Sequence, residues 1–315
     1  MSTPVTDRVR SEAVGGAPIR AIPVRHYGQW VCAAVAVTLA GLLFWSIGTN
    51  PAIQWPVVGE YLFNENILSG ALVTLQLTVL AMLIGVVGGV VLAVMRLSSN
   101  PVLSALSAAY LWVFRGTPVL VQIVLWFNLA LIFPRLGFGP VSADTNELIS
   151  AFGAALLALA LNEAAYMAEI VRGGILSVDS GQNEASQALG LTRAQAMRRI
   201  ILPQAMRVIV PPTGNEVITM LKTTALVAVI GAKDLFTEAQ YFGQNNFTTF
   251  EMLLVASFWY LVLTSALAVL QSRLERRFAR GVGPGSAPRD GVARRLLGGV
   301  ASRRSTIRTP EGTPA

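Results

Sequence analysis

Six apolar runs dominate this chain, at approximately residues 29–48, 67–95, 118–134, 148–170, 208–231 and 251–271. A helix needs about 20 apolar residues to cross the hydrocarbon of a bilayer. In lipid each backbone N–H and C=O must find a partner within the protein, so runs of this kind are expected to be helical. With 53% hydrophobic and only 13% charged residues, the chain is poorly suited to being soluble. The fold class expected is all-α, a polytopic helical membrane protein with about six transmembrane helices. The first run is long and lacks a small-x-small cleavage site leading into a soluble domain, so it reads as a retained helix. The third is short. An apolar segment at 101–114 precedes it and is expected to lie along the interface before the chain turns inward.

The basic residues test that count. Of 24 lysines and arginines, 21 fall before the first run, between runs two and three, between runs four and five, or after run six. The alternate connections hold only Arg135 and Lys233, and Lys222 lies within run five. Cytoplasmic loops carry the excess of Lys and Arg, so both termini and the loop between runs four and five are expected in the cytoplasm. That requires an even number of spans. The net charge of +7 is thereby accounted for without nucleic acid. Cys32 is the single cysteine, so no intrachain disulfide forms, and His26 alone builds no metal site.

Four regions follow: a disordered cytoplasmic N-terminus at 1–28, an additional transmembrane helix at 29–48, a compact five-helix membrane domain at 67–271, and a disordered basic tail at 280–315. The tail's arginines either stay solvated or touch anionic lipid headgroups. Run two carries Gly85, Gly88 and Gly89, small residues that let helices approach closely in lipid. Pro211-Pro212 reads as the start of the fifth span, because proline is best tolerated in a helix's first turn.

The loop between runs four and five is polar and basic, and reads EASQALGLTRAQAMRRIILP from Glu184 to Pro203. A short helix is expected over 182–189, ended by Gly190 in a positive-φ conformation. Thr192-x-x-Gln195 has the form of a capping box for a second helix, and Pro203 is expected to stop that helix. Ala185, Ala188 and Leu189 fall at i, i+3, i+4 and offer a small apolar surface, with Glu184 as a charge that a basic partner could read. The ordinary alternative is a plain helix–turn–helix connector.

Glu184, Ala185, Ser186, Gly190, Ile200, Leu202 and Pro203 follow a pattern E-A-A, three residues, G, nine residues, I-x-L-P, with only Ser186 departing. This resembles the cytoplasmic coupling loop of permease subunits of bacterial ATP-binding-cassette (ABC) importers. More of the chain is similar to one subfamily, the permeases for polar amino acids such as histidine, glutamine and arginine. Gly70 to Thr78 is similar to its G-x-x-x-T-L-x-L-T entry, Phe114-Arg115-Gly116-Thr117-Pro118 to its F-R-G-T-P turn, and Ala164 to Ile175 to A-A-Y-x-A-E-I-x-R-G-G-I. Pro203-Gln204-Ala205 runs on to Pro211-Pro212 as in that subfamily. The first helix and the basic tail lie outside its five-span core.

The resemblance implies a type I ABC importer permease fold in the bacterial inner membrane, working by alternating access. It implies as partners two ABC ATPase subunits, a second permease (identical or homologous) and an extracytoplasmic amino acid-binding protein. Glu184, Ala185, Gly190, Ile200, Leu202 and Pro203 would couple to the ATPase. The chain has no phosphate-binding loop of the form G-x-x-x-x-G-K-[ST], no nucleophile–base arrangement and no metal cluster. No catalytic residue, cofactor or metal is therefore assigned, and ATP hydrolysis is expected in a partner chain. The competing reading is an ATP-independent secondary transporter or channel. A membrane enzyme lacks a cluster of catalytic side chains.

Charges within the runs are costly, at about 2.5–3.5 kcal/mol each at a span's centre. Glu169 and Arg172, at i, i+3, read as a structural pair. An amino acid in transit presents an ammonium and a carboxylate. Asn162, Glu163 and Lys222 are expected to line the transport path, with Thr74 or Gln76 adding hydrogen bonds. The alternative is that Glu163 and Lys222 neutralise each other as a buried pair.

Overall fold

The computed structural model describes residues 27–138 and 141–278. The predicted N-terminal segment, but for its last two residues, and the predicted basic tail lie outside these. The chain divides after Ile53 into two units. In the first, helix α1 (Tyr27–Gly48) has no buried residue and no distinct apolar face. A helix apolar all round suits a span surrounded by lipid.

The second unit begins with α2 (Trp55–Leu62) and α3 (Glu65–Arg96), then α4 (Pro101–Gly116) and α5 (Val119–Phe127). A two-stranded hairpin, β1 (Arg135–Phe138) with β2 (Val141–Asp144), and the single turn α6 (Thr145–Leu148) lead into α7 (Ala151–Leu176). Then come α8 (Ser180–Ala188), α9 (Arg193–Ala196), α10 (Leu202–Thr223), α11 (Leu235–Asn245) and α12 (Thr249–Phe278). The helical expectation holds, with the hairpin an addition in the link between α5 and α7.

Helices α1, α3, α7 and α12 are each long and apolar enough to span. Two further candidates are bent pairs. Helix α4 meets α5 at 100°, and the helical run 193–230 meets α11 at 46°. The count is thus six if each pair is one span. The predicted third span, 118–134, is helical only to Phe127, followed by a 3₁₀ turn at Leu129–Leu131. The break before α5 falls at Thr117-Pro118, where Pro118 takes an extended φ of −61° and ψ of 134°. Gln122 Nε2 spans this corner, donating to Phe114 O at 3.0 Å and Thr117 Oγ1 at 2.8 Å.

Helix α7 is the hub, packed by α3, α5, α10 and α4, and its contact with α3 is the largest in the fold. Small residues make this possible. Ala154, Ala155, Ala158, Ala164, Ala165 and Ala168 of α7 are buried. Gly85, Gly88 and Gly89 of α3 face Glu163, Ala164 and Met167. Without a hydrophobic force between helices in lipid, such close approach supplies the packing that holds them.

Two expectations about proline are corrected. Pro203 does not stop a helix, and Pro211-Pro212 does not begin one. From Arg193 the chain runs through α9, a π-helical turn at Met197–Ile201 and α10, with Pro211 and Pro212 inside. Proline in a helix lacks one N–H and clashes with the carbonyl four residues back. The π turn widens the helix just before Pro203, and Leu202 N–H bonds back to Met197 O, five residues away. Near the first of the two later prolines α10 is tied to α12, where Gln271 Nε2 donates to Pro211 O at 3.4 Å and to Asn215 Oδ1 at 2.8 Å. Neighbouring helices commonly offset the cost of proline within a membrane span in this way.

Candidate translocation cavity and coupling segment

Two helical stripes build a cavity of about 470 Å3. On α7, Leu159, Asn162, Glu163 and Tyr166 fall at i, i+3, i+4 and i+7. On α10, Glu216, Thr219, Met220 and Thr223 repeat the same spacing. Residues so spaced share one helix face. The α4–α5 corner, Arg115 to Val119, completes the wall.

Glu163 is 3% exposed, and its Oε1 has no hydrogen-bond partner. A buried carboxyl oxygen without a partner in the chain is costly until a proton, a water or a bound group satisfies it. The charge that bears on it is Glu216, across the cavity wall on α10. Asn162 also lines the cavity, and its Nδ2 donates to Phe114 O at 2.8 Å and to Gln122 Oε1 at 3.2 Å. It therefore ties α7 to the α4–α5 corner. Arg115 sits with its guanidinium 5.4 Å from the Tyr166 ring centroid, an attractive cation–π geometry.

The other residues named for the path lie elsewhere in this chain. Lys222 is exposed and does not line the cavity, because at i+6 from Glu216 it turns to another face of α10. The alternative of a Glu163–Lys222 pair is not formed. The one ion pair among the described residues joins Arg172 Nη2 to Glu169 Oε2 at 2.7 Å, as expected for the structural pair. Thr74 is fully buried, and its Oγ1 accepts from Leu235 N at 3.1 Å, fixing the start of α11. Gln76 is exposed on α3, away from the cavity. Thr74→Val is accordingly expected to lower thermal stability by about 1–3 kcal/mol, the cost of an orphaned buried N–H, while leaving the KM for cargo unchanged. A thermal-shift series beside an uptake titration measures both.

Arg115 and Glu216 are the lining charges that sequence reasoning did not assign. The signal was present: the two i, i+3, i+4, i+7 stripes on α7 and α10 contain Glu163 and Glu216 but exclude Lys222.

The segment after α7 folds by local rules. Asp179 caps α8, its Oδ1 accepting from Gly181 N at 2.7 Å, so the helix begins at Ser180. Gly190 ends it with φ +72°. Gly190 N bonds to Gln187 O at 2.9 Å and Leu191 N to Ser186 O at 3.0 Å, the paired bonds of a Schellman cap. Thr192 then forms the expected capping box, with Thr192 N donating to Gln195 Oε1 at 2.9 Å and Gln195 N to Thr192 Oγ1 at 3.3 Å. Ser186 is buried and its hydroxyl donates to Gln182 O at 2.5 Å. Glu184, Ala185, Ala188, Gly190, Leu202 and Pro203 are exposed and Ile200 is half-buried. Leu189 is 77% exposed, a large apolar side chain displayed at the tip of the loop.

Residues 85–280, spanning most of the core and the whole loop, match the family of binding-protein-dependent transport system inner membrane components. The chain belongs to this family. It is similar to the arginine transport system permease protein of Corynebacterium glutamicum, 49% identical over 266 residues, 84% of each chain. It is also similar to the glutamate/aspartate import permease protein of Escherichia coli, 42% identical over 218 residues, 68% of this chain and 93% of that one. Among solved structures, an amino acid ABC transporter crystallised with histidines matches at 42% identity. Its TM-score is 0.60, and the match covers 67% of this chain and 94% of that one. A methionine ABC transporter in an inward-facing conformation, 24% identical with a TM-score of 0.56, shares the fold. The permease is thus an inner-membrane, multi-pass subunit of the ABC importer class, with the type I fold. The ATP-independent transporter or channel is not favoured. Partnership with an ATPase and a binding protein follows in general terms from membership of the family.

Proposed function

We propose that this permease imports cationic amino acids, the arginine type, through the cavity between α7 and α10. The observation that carries this is the cavity's ionisable lining. Glu163 and Glu216 supply two carboxylates and Arg115 one guanidinium. An arginine or lysine presents the complement: two cations, at the α-ammonium and the side chain, and one anion, at the α-carboxylate. A glutamate presents two anions and one cation and would bring like charges together, which costs several kcal/mol. The relatives do not decide between these, since one is named for arginine and another for glutamate and aspartate. Asn162 holds the corner that carries Arg115. Lys222, Thr74 and Gln76 take no part in the cavity of a single chain.

The wider assembly is two permeases, identical or related, with the five-helix domain at 67–271 as the core of each. Both chain termini and the 180–203 segment face the cytoplasm, by the arginine asymmetry. ATP is hydrolysed by a separate ATPase that docks on that segment through Glu184, Ala185, Gly190, Ile200, Leu202 and Pro203. The external binding protein delivers the cargo.

The test is uptake of radiolabelled L-arginine in cells lacking their own arginine import and expressing the full importer. Unlabelled L-lysine is expected to compete and L-glutamate not to. Glu163→Gln is expected to lower kcat/KM for L-arginine by about tenfold or more, the loss of one charge-assisted hydrogen bond in a dry site. Competition by glutamate equal to that by lysine, with unchanged uptake in Glu163→Gln, rejects the reading.

A further inference from the structure

Nothing in the cavity lining explains why Glu163 sits where it does, because its placement is set from behind. Gly85 of α3 lies against the stem of that side chain. A Cβ on residue 85 would stand 2.6 Å from Glu163 Cγ, 2.7 Å from its Cβ and 3.4 Å from Ala160 O. Contacts of 2.6–2.7 Å between carbons are well inside the optimum of about 3.5–4.0 Å. The Glu163 Cβ is part of the α7 scaffold and cannot rotate away. So a single methyl at 85 either levers α7 from α3 at this level or turns the carboxylate out of its position.

Gly88, one turn further along α3, differs. A Cβ there would meet only the Ala164 Cβ, at 3.0 Å. Gly85 is therefore the glycine that touches the cavity's one buried, unpartnered carboxylate. Its φ is not in the left-handed region, so the backbone does not demand glycine here. The space does.

We infer that Gly85 is a specificity-determining position: its missing side chain lets the Glu163 carboxylate stand at the depth where it receives the cationic group of the cargo. Gly85 touches no substrate. It acts through Glu163 as a positioning residue, and the inference rests on the cavity reading above. A residue with a side chain at 85 blunts discrimination by charge and leaves discrimination by size in place. L-Arginine and L-citrulline separate the two, since their side chains match in shape and only arginine is charged.

The experiment is equilibrium binding of L-arginine and of L-citrulline to the purified permease–ATPase complex, with basal ATP hydrolysis as the check on assembly. Gly85→Ala is expected to lower the arginine-to-citrulline affinity ratio by about fivefold to tenfold, part of the charge-assisted contact being lost. Gly88→Ala should leave the ratio unchanged. In a Glu163→Gln background Gly85→Ala should add nothing further, because the two residues act on one contact.

A Gly85→Ala variant that weakens both ligands equally, or that still moves the ratio in Glu163→Gln, overturns the inference and makes Gly85 a packing residue. The cavity reading fails separately, if Glu163→Gln alone leaves the ratio unchanged. If Gly85→Ala does not assemble, pairing it with Glu163→Gly removes both side-chain atoms that the new methyl meets. Assembly of that pair with the arginine-to-citrulline ratio of Glu163→Gly alone supports the inference; failure to assemble, or a ratio that differs from Glu163→Gly, overturns it.

Discussion

Replacing Gly89 by valine is expected to eliminate the assembled permease. A Cβ at 89 would collide with Met167 Cβ, and would stand 2.9 Å from Ala168 N and 3.0 Å from Met167 C. Two of these three atoms are backbone, so no rotamer change on α7 relieves the clash. The contact lies in the largest helix–helix interface of the fold, with Gly89 and Met167 both buried. Overpacking in a close-packed interior costs about 1–3 kcal/mol where side chains can adjust. Here the helices themselves must separate, and valine adds two further carbons to the clash. In lipid the separated α3 and α7 lose the packing that holds them and gain nothing from water in return. Protease resistance in membranes and the yield of monodisperse complex after extraction measure the result. Gly88→Ala, whose added Cβ would meet one atom at 3.0 Å and no backbone atom, is the matched control and should retain most of the yield. A Gly89→Val permease that extracts and behaves normally would show that this interface does not hold the fold together.

Reversing the charge at Glu184 is expected to uncouple transport without emptying the cavity. Glu184 is exposed on α8, beside the exposed Ala185 and Ala188, and the loop tip displays Leu189. Among the described residues no hydrogen bond or ion pair ties the Glu184 carboxylate. If the ATPase docks here as proposed, Glu184→Arg sets like charges against each other at a contact of small side chains. Several kcal/mol of such repulsion corresponds to about a hundredfold loss or more of coupled uptake. Co-purification of the ATPase should fall in step. Arginine binding to the permease should stay within about twofold, because the cavity lies on the other side of the α7 C-terminus and shares no residue with the segment. Gly190→Val should act in the same direction for a different reason. A β-branched residue at φ +72° is strained, and the Schellman cap that sets the angle between α8 and α9 is lost. Uptake retained in both variants, with ATPase still bound, would return the segment to an ordinary connector.

The extent to which the chain could be read before folding varies by element, and the reasons are physical. The capping box at Thr192 and the positive φ at Gly190 were foreseeable because each is settled within four or five residues by local hydrogen bonds and steric limits. The expected stop at Pro203 and the expected start at Pro211-Pro212 fail for the opposite reason. Proline's cost is local, but what offsets it is not. A π turn precedes Pro203, and beside Pro211 the Gln271 amide of α12, 60 residues away, ties the helix to its neighbour. Lys222 is expected in the path because its ammonium would complement the carboxylate of the cargo. Its angle about the helix axis, set by the same spacing that aligns Glu216 with Thr219 and Thr223, excludes it. Thr74 is expected to add a hydrogen bond to the path. It turned out to serve the backbone of α11, 161 residues further on.

What the sequence by itself determined is the membrane-spanning helical class, the charge asymmetry between its alternate loops, and the local capping of the segment between α7 and α10. These rest on transfer free energies, on charge asymmetry and on local capping, all of which act through neighbours in the chain. Tertiary structure alone decided which polar groups share a cavity, and that a glycine on α3 stands behind the carboxylate on α7. Both depend on how two helices are rotated and how closely they approach. In lipid that is decided by packing between small residues far apart in sequence, to which hydropathy and periodicity along a single helix are blind.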